Sequence, residues 1–284
     1  AGKTTAGMSI LRLLPQEAEI LAGEVYFDGV DLLRLPEHEL RRLRGRRIAM
    51  IFQDPIAGLN PVISVGDQVA EILTSHISMN KKEAKGHALQ ILHSVGLADP
   101  DRIAKAYPFQ LSGGMCQRVM IGIATALNPD VIIADEPTSA LDVTVQAQIL
   151  HQLNRLREDR GTAILLITHN FGVVAQMADD VAVLYGGRIV ETGDVEEMHD
   201  RPYHPYTHAL LATLPRLNET RGQLHAIPGN PPELSEAPEH CPFIPRCPKA
   251  LSACRESAPP GLERRNGSAH LVACYNPVWQ ADPG

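Results

Sequence analysis

The sequence predicts an α/β fold with a largely parallel sheet. Short apolar runs bounded by polar turns recur at 47–53, 131–135, 163–168 and 181–185, the pattern of buried strands. Between them lie stretches whose apolar residues repeat at helical spacing, so strands and helices alternate along the chain. With 284 residues, 44% of them hydrophobic, the chain can bury one sizeable core and still supply a small second domain.

The first helix is expected over 4–14, opened by Gly2-Lys3-Thr4-Thr5. Further helices are expected over 65–76, 81–95, 112–127 and 143–160. In the last of these Val145, Ile149, Leu153 and Leu156 fall on one face and read as core. After about residue 201 the texture changes. Tyr203-His204-Pro205-Tyr206 precedes one short helical stretch, and Pro228-Gly229-Asn230-Pro231-Pro232 breaks any long element. From about residue 216 onward a loop-rich tail is expected, which a hydrophobic core alone would not hold.

The net charge of -7 is spread along the chain rather than gathered in a tail, which argues against a nucleic-acid partner. Apolar runs such as Ala163-Ile164-Leu165-Leu166-Ile167 fall far short of the roughly 20 residues that cross a bilayer. No charged leader opens the sequence, so a cytosolic setting is expected. Four of the five cysteines crowd into the last fifth of the chain, and in that setting they read as metal ligands rather than disulfides.

Three short motifs carry chemistry. Gly2-Lys3-Thr4 at a helix start is the back half of a phosphate-binding loop: backbone N–H groups and a helix N-terminus hold phosphates, the lysine reaches them, and the Thr4 hydroxyl suits Mg²⁺. Val131-Ile132-Ile133-Ala134-Asp135-Glu136 delivers two acids at the end of a strand. Asp135 suits magnesium and Glu136 suits polarising a water for in-line phosphoryl transfer. In Leu111-Ser112-Gly113-Gly114, a serine cap explains Ser112, but two glycines in a first helical turn cost about 1 kcal/mol each relative to alanine. A phosphate approaching the bare backbone accounts for that cost.

Leu111-Ser112-Gly113-Gly114-Met115-Cys116-Gln117-Arg118 resembles the signature motif of the ABC ATPases, and the rest of that family's motifs follow in order. Gln53 in Ile51-Phe52-Gln53-Asp54-Pro55 resembles the Q-loop, Ser139-Ala140-Leu141-Asp142 the D-loop, and Ile167-Thr168-His169 the H-loop. The resemblance implies a P-loop NTPase core of the RecA-like type with an inserted helical subdomain at about 60–128, an ATPase domain over 1–200, and a small loop-rich C-terminal domain over 201–284. It further implies head-to-tail pairing with a second ATPase subunit, identical or sister. Gly2, Lys3, Thr4, Thr5, Gln53, Asp135, Glu136, Asp142 and His169 serve ATP and Mg²⁺ on one side, and Ser112, Gly113 and Gly114 close the opposite site. Glu136 is then the catalytic base, Gln53 senses magnesium and the attacking water, and His169 touches the γ-phosphate. Residues 54–110 dock two membrane-spanning permease subunits at the cytoplasmic face of the membrane, and an extracytoplasmic solute-binding protein joins indirectly. Asn170 departs from the family, which commonly has Asp after the histidine. Cys116 occupies a variable position of the signature and reads as a small helix residue. The loop's first glycine, the strand before it and an adenine-stacking aromatic are not among these residues, so ATP binding by this chain is expected to be weak.

Arg201-Pro202-Tyr203-His204-Pro205-Tyr206-Thr207 and Ile227-Pro228-Gly229-Asn230-Pro231-Pro232 resemble the C-terminal region of oligopeptide and dipeptide importer ATPases, a tail that the nickel branch shares. Peptide import is the expected function, with nickel or another small solute, or a soluble non-transport ATPase, as alternatives. Cys241, Cys247, Cys254 and Cys274, spaced C-x5-C-x6-C-x19-C, can hold zinc or a [4Fe–4S] cluster, or stand as free structural thiols. The gaps are wider than those of zinc ribbons, and members of the family carry a cluster here.

Overall fold

The computed structural model describes residues 2–139, 141–214, 227–232, 238–264 and 269–279. By packing, the chain divides into Thr4–His169 and a second unit formed by Asn170–Gly284 with Ala1–Lys3.

The first unit runs α1 (Lys3–Ile10), β1 (Tyr26–Phe27), β2 (Val30–Asp31), α2 (Glu37–Leu43), β3 (Ile48–Ile51), α3 (Val65–His76), α4 (Lys81–Ser94), α5 (Pro100–Lys105), α6 (Gly113–Thr125), β4 (Val131–Asp135), α7 (Val143–Arg160) and β5 (Ala163–Ile167). Strands β3, β4 and β5 form a parallel sheet in that order, with Ile51 beside Ala134 and Asp135 beside Ile167, so all three carboxyl ends finish at one rim. Ile48, Ile51, Ile132 and Ile133 are buried, as a covered parallel sheet requires. Helix α1 lies close against this sheet: a Cβ on Gly7 would stand 2.7 Å from Ile167 and 3.3 Å from Ile133, so only glycine admits the approach. The helix stops at Ile10, short of the expected residue 14. Arg12 takes a left-handed backbone (φ 52), and Leu14 precedes Pro15, which disfavours helix.

Helices α3 to α6 make the inserted helical region. Ser64 caps α3, Asn80 forms a capping box on α4 and Asp99 caps α5. Their shared core includes Val69, Leu73, Leu92, Ile103 and Val119. Gly66 admits Ala104 so closely that an added Cβ would lie 2.7 Å from it.

The second unit runs α8 (Phe171–Met177), β6 (Asp180–Tyr185), β7 (Arg188–Asp194), α9 (Val195–Asp200), α10 (Pro205–Ala212), α11 (Ala253–Glu256), β8 (Glu263–Arg264) and β9 (Leu271–Val272). Its antiparallel sheet has the order β6-β7-β9-β8. Gly186 and Gly187, both left-handed, turn β6 into β7, and Gly186 leaves no room for a side chain beside Pro242. Because β9 pairs with β7, the tail is part of the same sheet as the strands that precede it, and the division by packing falls at Asn170 rather than near residue 200. The tail is loop-rich where described, with only α11, β8, β9 and one 3₁₀ turn over Ile244–Arg246. No helix among the described residues is long and apolar enough to cross a membrane.

Candidate functional site

The rim of the parallel sheet gathers the motif residues of the first unit. Gln53 leaves β3 into an exposed loop, Asp135 ends β4 in a buried position, and His169 follows β5. Open α/β sheets bind ligands at this carboxyl edge. Gly7 seats α1 against Ile133 and Ile167, two residues before Asp135 and His169 respectively, and Thr4 lies three residues ahead of Gly7 in the same helix. Gly2, with φ 88, directly precedes Lys3, the first residue of α1.

Glu136 is held more tightly than its neighbours. Its backbone adopts φ 47, a region that costs a non-glycine residue of order 1 kcal/mol or more and recurs at functional sites. Its N–H donates to the Ile167 carbonyl at 2.8 Å, and its own carbonyl accepts from the Ser139 N–H and hydroxyl. One carboxylate oxygen lies 2.7 Å from Nδ1 of His169. The Glu136 side chain is 10% exposed and that of His169 is 74% exposed, so the pair runs from the buried rim outward. With Glu136 ionised, Nδ1–H donates to it, and Nε2 is an acceptor in the neutral ring and a donor in the protonated one. This direct pairing was not readable from the sequence, where the two residues are 33 apart.

Ser112 caps α6, accepting from the Met115 N–H, and Gly113 and Gly114 form its first turn. A Cβ on Gly113 would meet nothing within 4 Å, whereas one on Gly114 would lie 3.5 Å from Leu141. The crowding that usually explains a helical glycine is therefore absent at Gly113. Asp142 caps α7 through Thr144 and Val145, so its carboxylate already serves the helix. Thr5 is exposed in α1, and its carbonyl accepts from the Ser9 hydroxyl. Asn170 caps α8 by accepting from the Gly172 N–H, a role that either Asn or Asp fills. Cys116 is buried, with its thiol pushed upward by burial, as befits a packed helix residue.

In the second unit Cys241, Cys247, Cys254 and Cys274 line one small cavity together with His204 and Phe243. Backbone N–H groups of Phe243 and Ile244 face the Cys241 sulfur, that of Lys249 faces Cys247 and that of Asn276 faces Cys274. Burial pushes the Cys274 thiol up to about 11 and raises Cys241 and Cys247 as well. Among the described residues, no group of three or more His, Cys, Asp or Glu side chains is drawn together closely enough to hold a metal ion. The cysteines share a cavity without converging on a point.

Glu191, fully buried on β7, fastens this region. Its carboxylate accepts from the N–H groups of Tyr203 (2.5 Å) and His204 (3.0 Å) and lies 2.7 Å from Nε2 of His270. Glu191 and His270 carry no motif, and pairing of β7 with β9 was the missing information.

Residues 1–139 match the family model described as "ABC transporter", and residues 190–254 match "Oligopeptide/dipeptide transporter, C-terminal region". The chain is 48% identical over 276 residues to the probable peptide ABC transporter ATP-binding protein y4tR of Sinorhizobium fredii, covering 96% of this chain and 82% of the relative. It is 45% identical to the dipeptide transport ATP-binding protein DppD of Bacillus subtilis, over 96% of this chain and 82% of that one. It is equally 45% identical to the oligopeptide transport ATP-binding protein OppD of Escherichia coli, over 98% and 81%. Among solved structures, the ATP-binding cassette MJ0796, in a dimeric post-hydrolysis state bound to ADP and Pi, aligns with a TM-score of 0.61 at 31% identity, over 68% of this chain and 81% of that one. With both family models matched and relatives covered over four-fifths of their length, the chain belongs to the family of ABC transporter ATP-binding proteins that carry the oligopeptide/dipeptide C-terminal region.

Proposed function

We propose that this chain binds and hydrolyses ATP to power peptide import across the cytoplasmic membrane, acting at its cytoplasmic face. The Glu136–His169 pair at the sheet rim carries the reading. Glu136, fixed by its strained backbone and by His169, is held ready to take a proton from water; His169, largely exposed, would reach the γ-phosphate as a donor through Nε2–H with its ring protonated at both nitrogens. Backbone amides from Gly2 to Thr5 and the Lys3 ammonium receive the phosphates. A buried carboxylate at Asp135, the Thr4 hydroxyl and the Gln53 amide make an all-oxygen donor set that fits a hard divalent cation, and these residues would hold Mg²⁺. Bound there, Mg²⁺ supplies neutralisation of phosphate charge.

Ser112, Gly113 and Gly114 complete the site of a second ATPase subunit, identical or sister. The open space over Gly113 and the dimeric state of the MJ0796 cassette support this head-to-tail arrangement. Asp142 contributes by fixing the start of α7 beside that face. The exposed side chains of Ile56, Val62 and Phe109 fit docking of permease subunits by residues 54–110.

Four cysteines round one cavity, with backbone N–H groups aimed at three of the sulfurs, match the donor chemistry of an iron–sulfur cluster, and Cys241, Cys247, Cys254 and Cys274 would be its ligands, though they are not drawn together in this structure. Bound there, the cluster supplies a metal staple for a tail with little regular structure. Iron and zinc analysis of anaerobically purified protein decides between cluster, zinc and free thiols.

The reconstituted complex with two permease subunits and a binding protein tests the function. Di- or oligopeptides should raise its ATP turnover; stimulation by nickel instead would move the substrate, and association with ribosomes or DNA would remove the transport reading.

A further inference from the structure

We infer that Arg118 is a positioning residue for the ATP site of the second subunit: it fixes helix α6 against α7 and so sets Ser112, Gly113 and Gly114 relative to Asp142. The inference rests on the head-to-tail reading above. Arg118 stands on α6, six residues past Ser112, and is half-buried. Its Nη1 donates at 2.9 Å to the carbonyl of Val95, the residue that closes the C-terminus of α4, and its Nη2 donates to Oε1 of Gln148 on α7. One guanidinium thus joins three helices. Arginine suits the place because its donors form a rigid planar fork that serves two fixed acceptors at once, and because its charge complements the negative end of α4.

The surroundings are shaped to admit that side chain. Gly96 follows Val95 with φ 79, and a Cβ there would stand 2.5 Å from Nη1, so a side chain at this position would push the guanidinium off the carbonyl. Gly122 lets α6 press on α4, where an added Cβ would lie 3.0 Å from Ile91. Gln152, one turn beyond Gln148 on α7, donates to the Ser94 carbonyl at 3.3 Å, so α7 is tied to the last turn of α4 directly as well as through Arg118. Where α6 and α7 begin, the contact is apolar and looser: a Cβ on Gly114 would lie 3.5 Å from Leu141 and 4.0 Å from Val145. Ser112 and Asp142 there each cap their own helix. The fork of Arg118 therefore supplies a directional tie between the two helices whose first turns face the second subunit. Backbone N–H groups at Gly113 that must meet a phosphate held by another chain gain from such a tie, because a displacement of about 1 Å can cost a large part of the rate.

Substitutions at Gln148, which is exposed on α7, test the tie without disturbing a core. Leu there removes the acceptor and Glu keeps it, and both are good helix formers. The kcat and KM for ATP are measured in the assembled complex, and thermal unfolding on the full chain. Gln148→Leu should lower kcat about tenfold with KM and unfolding temperature unchanged, because the chain's own phosphates sit on the face of Lys3, while Gln148→Glu should turn over like wild type. Arg118→Lys keeps a donor for Val95 without the fork; it should match Gln148→Leu, and the double variant should be no slower than either single one. Wild-type kcat in Gln148→Leu overturns the inference. So does an equal loss in Gln148→Leu and Gln148→Glu, because the acceptor would then be irrelevant, and so does a fall in kcat matched by a fall in unfolding temperature, because the contact would then serve the fold. Independent effects, with the double variant about a hundredfold down, overturn the coupling through one guanidinium. If Arg118→Lys does not fold, the two Gln148 variants decide by the same outcomes. Gly113→Ala, measured beside them, separates the two readings: if its turnover is unchanged, the head-to-tail reading falls and this inference with it, whereas a loss there with wild-type kcat in Gln148→Leu overturns the role of Arg118 alone.

Discussion

The two units handle their reactive groups in opposite ways. Along the rim of β3, β4 and β5 the reactive side chains stand on a packed sheet and reach outward: Glu136 is nearly buried, and His169, bonded to it, is three-quarters exposed. In the unit that begins at Asn170 the reactive groups face inward, four cysteines and a buried histidine round one cavity. An open rim suits a substrate that must enter and leave with each turnover; the cysteine cavity is closed by comparison. The supports differ as well. The rim is held by strand register and by Gly7, while the cavity is held by Glu191, a single carboxylate joining three segments.

If that contrast is right, removing Glu191 should have the largest effect on stability. Glu191→Ala removes the carboxylate that joins Tyr203, His204 and His270, and a loss of about 3–5 kcal/mol is expected in the second unit. Hydrogen exchange should show opening of β7 and β9 while β3, β4 and β5 stay protected. Uniform opening would mean that the units are not separately supported.

Acid should act next, and on the same unit. Burial pushes His204 down to about 4 from 6.5, opposed by Glu191, so the unfolded chain binds more protons between those values. Its contribution is complete above pH 6.5 and is lost as the pH falls toward 4, at up to about 1.4 kcal/mol per pH unit. Thermal unfolding across pH 7 to 4 reads this, and His204→Asn should flatten the dependence.

Smaller effects test the rim. Gly7→Ala pushes a methyl against Ile167 and should cost about 1–3 kcal/mol while weakening ATP binding through a displaced α1, read by unfolding and by nucleotide titration. Gly113→Ala meets open space and should leave stability unchanged or raised by up to about 1 kcal/mol. Its ATP turnover in the assembled complex should nevertheless fall. Unchanged turnover would return Gly113 to the ordinary role of a helix residue.

The same contrast explains what was legible in the sequence. Gln53, Asp135 and His169 each close an apolar strand, so a local pattern names both the element and the site residue at its end. Helices α3 and α7 match their expected spans because a cap and an amphipathic repeat define them locally. The short hairpin of β1 and β2, and strand β7, were not anticipated: Asp28-Gly29 and Gly186-Gly187 are turn signals, but the strands beside them are too brief or too mixed in polarity to stand out. Glu191, His204 and His270 were missed as a cluster because they come together through the pairing of β7 with β9, which is 79 residues of separation for Glu191 and His270. The cysteines were visible as a set by spacing, but their arrangement round a cavity was not.

In the proposed reaction Glu136, backed by His169, removes the proton from the attacking water. ATP turnover and ATP affinity of Glu136→Gln beside the wild type, both in the assembled complex, test it most directly. A fall in turnover of about 10²- to 10⁴-fold with affinity unchanged is the predicted result. Turnover within a few-fold of wild type would remove Glu136 as the base.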